Sequence, residues 1–93
     1  MLATKSEAAI LKRVIQPESG SLSPEVAKSL LGFGFAESDH ARMAELSEKA
    51  SAGTLTSDEA EELDGYTNVS HFIAFLHSKA RISLKNAQLT GAA

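Results

Sequence analysis

The side chains best suited to hold a metal or move a proton near neutral pH are three histidines, His40, His71 and His77. No two of them stand three or four residues apart, the spacing that puts two ligands on one helical face. His71 and His77 would lie about 240° apart around a helix, so they cannot share an ion. The chain has no cysteine, which removes thiolate ligands and disulfides. Asp58, Glu59, Glu61, Glu62 and Asp64 could form an acid–base or metal cluster. A catalytic carboxylate pair needs one desolvated member, however, and a crowd of acids at a helix start is wet and already explained by the helix dipole. Among the many serines there is no G-x-S-x-G, no P-loop and no dinucleotide fingerprint. Gly32-Phe33-Gly34 lacks the preceding strand that a phosphate loop requires. The expectation is therefore no catalytic residue, no metal, no cofactor and no small-molecule substrate.

Two other features remain. Lys79, Arg81 and Lys85, with His77 beside them, make the only basic cluster. Its plain explanation is compensation of a helix C-terminus; its functional one is an anionic partner. Ile73, Leu76, Ala80 and Leu84, flanked by Phe72 and Phe75, make an apolar stripe that is core unless a partner covers it. The residues expected to bind a partner are thus Phe72, Ile73, Phe75, Leu76, Lys79, Ala80, Arg81 and Leu84.

These residues are positioned by one long helix, expected over 57–86. Thr56 and Glu59 form a T-x-x-E capping box, and Leu55 sits where a hydrophobic staple would. Acids fill the first turns and bases the last ones, as the dipole favours. Leu63, Tyr66, Val69, Ile73, Leu76, Ala80 and Leu84 recur every three or four residues. Gly65 to Asn68 are poor helix formers, Gly65 alone costing about 1 kcal/mol against alanine, so a kink or break there is the alternative. An unbroken helix would be about 45 Å long. A compact chain of this size has a radius of gyration of about 12 Å. The helix should therefore overhang its body and leave apolar surface for another molecule.

Three shorter helices should precede it. The first, 5–15, places Ala8, Ile10, Leu11, Val14 and Ile15 on one side and ends at Pro17. The second, 24–33, opens with the Ser23-Pro24-Glu25 cap and ends at Gly32 and Gly34, with Phe33 and Phe35 anchoring the turn into the core. The third, 39–51, has Met43, Leu46 and Ala50 inward, Arg42, Glu45, Glu48 and Lys49 in water, an i,i+4 pair between Glu45 and Lys49, and Gly53 at C′. A tail, 87–93, should fray. The fold class is all-α: a four-helix single domain with a long C-terminal helix.

Composition agrees with a folded globular chain of 93 residues, 43% hydrophobic and 23% charged. No apolar run is long enough to span a membrane, and Lys12 and Arg13 interrupt any signal-peptide core, so a cytoplasmic protein is expected. Net charge is −3, with −6 over residues 1–64 and +3 over 65–93. Such a balance argues against a dedicated nucleic-acid binder.

Leu22 to Glu25, Arg42 to Leu46, Lys49-Ala50, Gly53 to Thr56 and Ser78 to Arg81 carry a running pattern, LSPE-x-A, R-M-x-E-L-x-x-K-A, G-x-LT-x-x-E and S-K-A-R. In this the chain resembles a group of small uncharacterised bacterial helical proteins. That resemblance implies the small partner of a two-protein unit, antitoxin- or immunity-like, beside a toxin or an HNH-type nuclease. It carries no functional residues. The expected function is a non-enzymatic protein-binding module. The alternative is a homodimeric structural or adaptor protein with weak nucleic-acid contact through the basic end of the last helix.

Overall fold

The computed structural model describes residues 7–89. It contains four helices, α1 (Glu7–Ile15), α2 (Pro24–Leu31), α3 (Glu37–Ala52) and α4 (Ser57–Leu89), and no strand among the described residues. The fold is all-α with a long C-terminal helix, as the periodicity predicts. Lys5 and Ser6, expected in the first helix, lie outside the described residues. α2 stops two residues short of Phe33, and α3 starts two residues before Asp39. α4 continues through Gly65 without a break. It also runs past Asn86, so the expected fraying does not begin at Ala87; residues 90–93 lie outside the described residues.

The contacts cluster into two compact units, Met1–Gly34 with His71–Ala93, and Phe35–Ser70. Call them unit 1 and unit 2. Unit 1 holds α1, α2 and the second half of α4; unit 2 holds α3 and the first half.

Unit 1 is assembled on small side chains. Ala8, Ala27 and Ala80 are its fully covered hydrophobic residues, joined by Ser83 and Pro17. α1 ends because Gln16, ahead of Pro17, turns to φ 52°, where a helix cannot continue. The loop that follows is stitched to α4. Lys79 Nζ donates to the Gln16 carbonyl at 3.3 Å, and Asn86 Nδ2 to the Gly20 carbonyl at 3.4 Å. At Gly20 the backbones come so close that a Cβ would lie 2.7 Å from Ile82 Cγ2 and 3.0 Å from the Ile82 carbonyl carbon. α2 starts at its expected cap, Ser23 Oγ accepting from the Val26 N–H at 3.3 Å.

Two expectations fail in this unit. Ile10 and Val14 are exposed, because they stand about 200° and 240° from Ala8 around the helix while Leu11 and Ile15 share its face. Phe33 is 54% exposed; its backbone makes the anchoring contact, the carbonyl accepting from His77 Nε2 at 2.7 Å. A carbonyl can only accept, so that nitrogen carries the proton.

Unit 2 is two helices joined by a short turn. Both halves of the capping box form: Glu59 N–H donates to Thr56 Oγ1 at 3.1 Å, and Thr56 N–H to Glu59 Oε1 at 3.0 Å. Gly53 ends α3 at φ 72°, with its N–H and that of Thr54 on the last carbonyls. Leu46 is fully covered, Met43 is half-buried, and Ala50, expected inside, is exposed. Arg42 and Lys49, expected in water, are half-buried and clamp α4 instead. Arg42 grips the Glu62 carboxylate with two hydrogen bonds of 2.9 Å, and Lys49 donates to Glu59. The expected Glu45–Lys49 pair is replaced, Glu45 meeting Arg42 at 2.8 Å. The capping box explains the switch, since it fixes the Glu59 carboxylate within reach of Lys49.

Candidate functional site

The second half of α4 does not stand free: within unit 1 the α1–α2 loop is bonded to it at Lys79, Ser83 and Asn86, and Phe33 at His77. Its inner side is set by Ala80, 0% exposed, and Ser83. Ile73, Leu76 and Leu84 lie within about 60° of Ala80 around the helix and are half-buried. The expected stripe therefore faces the unit's own interior, and Ala80 is removed from any partner-binding set. Phe75 is half-buried against the His71 ring, whose centroid is 6.5 Å away at an interplanar angle of 25°. The His71 Nδ1 atom is covered and has no hydrogen-bond partner. Lys79 is occupied by the Gln16 carbonyl.

Of the expected residues, Phe72 and Arg81 are exposed, and they stand about 180° apart, so they cannot serve one contact patch. The outward face around Arg81 carries Ala74, Lys85 and Gln88, a polar and basic surface and not an apolar one.

Apart from Phe72, the uncovered large apolar side chains lie outside the expected set, most of them in the same unit. Ile10, Val14, Val26, Phe33, Phe72 and Leu89 belong to unit 1, Val14 being 75% exposed; Val69 belongs to unit 2. For Ile10 and Val14 the signal in the sequence was the excess width of the apolar set on the first helix. Ala8, Leu11 and Ile15 fill one face, which leaves Ile10 and Val14 with nowhere inside to go. By sequence, unit 1 carries seven basic and three acidic residues, +4, and unit 2 two basic and nine acidic, −7.

Unit 2 holds a second candidate, a cleft of about 290 Å³ lined by Phe35, Asp39, Glu62, Gly65, Tyr66 and Val69. The Phe35 and Tyr66 rings meet at 68° with centroids 5.8 Å apart, and the His40 ring stands edge-on to Phe35 at 5.9 Å. The Tyr66 hydroxyl donates to Asp39 Oδ1 at 2.8 Å, and this bond, followed by burial, raises the phenol's pKa. Glu62 is lowered chiefly by the Arg42 guanidinium, whose own pKa is raised by Glu62 and then Glu45. Lys49 first, and then the Thr56 N–H, hold Glu59 at about 2. Five acids expected to be a solvated face thus divide: Glu59 and Glu62 are half-buried ion-pair members, while Asp58, Glu61 and Asp64 are exposed.

Among the described residues no group of three or more His, Asp or Glu is placed to hold a metal, and no helix is long and apolar enough to cross a membrane. No family model, no curated protein and no solved structure matches the chain.

Proposed function

We propose that this chain is a non-enzymatic protein-binding module of the cytoplasm, the small antitoxin- or immunity-like partner of a bacterial toxin or nuclease. The observation that carries this reading is the uncovered apolar set of unit 1, Ile10, Val14, Val26 and Phe33, on a body whose own fully covered hydrophobic residues are alanines. Isolated apolar side chains on a surface are ordinary, but two on one face of α1 at i,i+4 spacing form a ready contact for a partner's apolar patch. The −7 of unit 2 supports a partner with a basic surface, as proteins that grip phosphate backbones have.

The test is co-expression with the product of the adjacent gene, followed by size exclusion with light scattering. A 1:1 or 2:2 complex that Val14→Asp weakens at least tenfold, with helix content unchanged, is expected. A chain that elutes alone and leaves the neighbour's toxicity untouched would sink the reading.

Opposite charges on the two units, +4 and −7, favour one second reading, a homodimer in which unit 1 of one copy meets unit 2 of another. A dimer that dissociates as salt rises would support it, since screening weakens contacts between exposed charges. A monomer at low salt and high concentration would dismiss it.

A further inference from the structure

Gly65 has no explanation in the fold. It lies inside α4, where glycine is a poor helix former, and it does not have the positive φ that would require glycine. Nor does close packing demand it, because a Cβ built there meets nothing within 4 Å. What Gly65 does is line the cleft of unit 2. Glycine leaves that part of the cleft wall as bare backbone. A residue that breaks a local rule without a structural return is a marker of a functional surface.

The cleft's chemistry narrows what could enter. Its walls are mostly apolar carbon, with two aromatic rings, Phe35 and Tyr66, set at a steep angle. Two carboxylates border it, and they are not equivalent. Glu62 is neutralised by the bidentate grip of Arg42, whereas no ion pair to Asp39 forms among the described residues. One Asp39 oxygen accepts from Tyr66, and that bond turns the phenol oxygen's electron density, not a proton, outward. The whole unit is at −7, which adds a field of the same sign. Aromatic walls beside an uncompensated carboxylate in a negative field suit a cation that carries its own apolar surface. An anion is disfavoured by the same field. A bare metal ion is disfavoured, because the walls offer few oxygens.

We propose that this cleft binds an alkylammonium group, held against the Phe35–Tyr66 ring pair with its charge towards Asp39, and that Gly65 leaves that wall of the cleft bare for it. A volume of about 290 Å³ is at the small end for ligand sites, which fits a head group of a few heavy atoms. The site lies in unit 2 and does not depend on the partner-binding reading of unit 1. The group can come from a free quaternary amine or from a lysine side chain of a protein.

The experiment is NMR titration of the intact chain, following the Val69 methyl groups and the Tyr66 ring. The probes are choline, its neutral isostere 3,3-dimethylbutan-1-ol, and Nα-acetyl-lysine methylamide. Saturable shifts at these residues, with at least one cation binding roughly tenfold tighter than the alcohol, are expected. The tighter of the two cations identifies the source. Equal binding of cation and alcohol, or no shift with either cation, overturns the proposal. Asp39→Asn keeps an acceptor for Tyr66 and removes the charge, so it should abolish the preference for the cations. Gly65→Ala should weaken cation binding several-fold while the helix melts no lower; unchanged binding in a folded Gly65→Ala protein also overturns it.

Discussion

The Leu22 N–H donates to Ser83 Oγ at 3.1 Å, a contact across 61 residues of sequence, and the same hydroxyl donates back to the Lys79 carbonyl at 2.7 Å. Ser83 is buried, at 2% exposure, so no solvent replaces it. Mid-helix serine is a weak choice by propensity, and this one satisfies the backbone of the loop between α1 and α2. Ser83→Ala leaves that N–H without an acceptor and should cost about 1–3 kcal/mol. Urea unfolding measures the loss. Amide exchange at Leu22 should rise by more than at helix amides, whereas uniform acceleration would show that the bond does no local work.

Gly20 tests the other stitch in the same loop. A Cβ there would fall 2.5 Å from Asn86 Nδ2 and against the Ile82 side chain and backbone. Asn86 can swing away, but the Ile82 backbone cannot. Gly20→Ala is therefore expected to lower stability by about 1–3 kcal/mol, the range for forced overpacking, with the melting temperature as the readout.

Acid should loosen unit 2 through Glu59. Its ordinary value is 4.5, and in the fold it is held at about 2 by Lys49 and Thr56. A carboxylate with a depressed folded value stabilises fully above its unfolded value and loses that contribution as pH falls through the folded one. The melting temperature should thus drop as pH falls from 4.5 towards 2, and Glu62, lowered by Arg42, adds in the same sense. Glu59→Gln should melt lower at pH 7 and show a shallower acid slope. An identical slope in the variant would assign the effect to other groups.

Two glycines should respond in opposite directions. Gly53 sits at φ 72°, so Gly53→Ala forces a left-handed alanine and should cost about 1 kcal/mol. Gly65 is an ordinary helical position in open space, so Gly65→Ala should gain up to about 1 kcal/mol. Thermal or urea melts of the two variants decide both.

The helices were legible because their signals are local. The Thr56–Glu59 box, the Ser23-Pro24-Glu25 start and the Gly53 stop each need only a few neighbouring residues, and each stands where the sequence placed it. The inward face was legible on α4, where Ile73, Leu76, Ala80 and Leu84 turn inward, but only in part on α1 and α3, where Ile10, Val14 and Ala50 are exposed. What was not legible on α4 is the covering of Ile82 and Ser83, which comes from Gly20 and Leu22, more than sixty residues away. Arg42 read as a surface cation because its partner Glu62 stands 20 residues on, on another helix. The division into two units left no mark of its own, since the helix common to both keeps a single period throughout.

Unit 1 rests on Ala8, Ala27, Ala80 and Ser83, whose side chains have no more than two heavy atoms. Helices that touch through such residues run backbone to backbone, with little spare volume between them. A saturation library of this chain should therefore invert the usual hierarchy: the bulky aliphatics on the rim will tolerate exchange, and the smallest residues will refuse it.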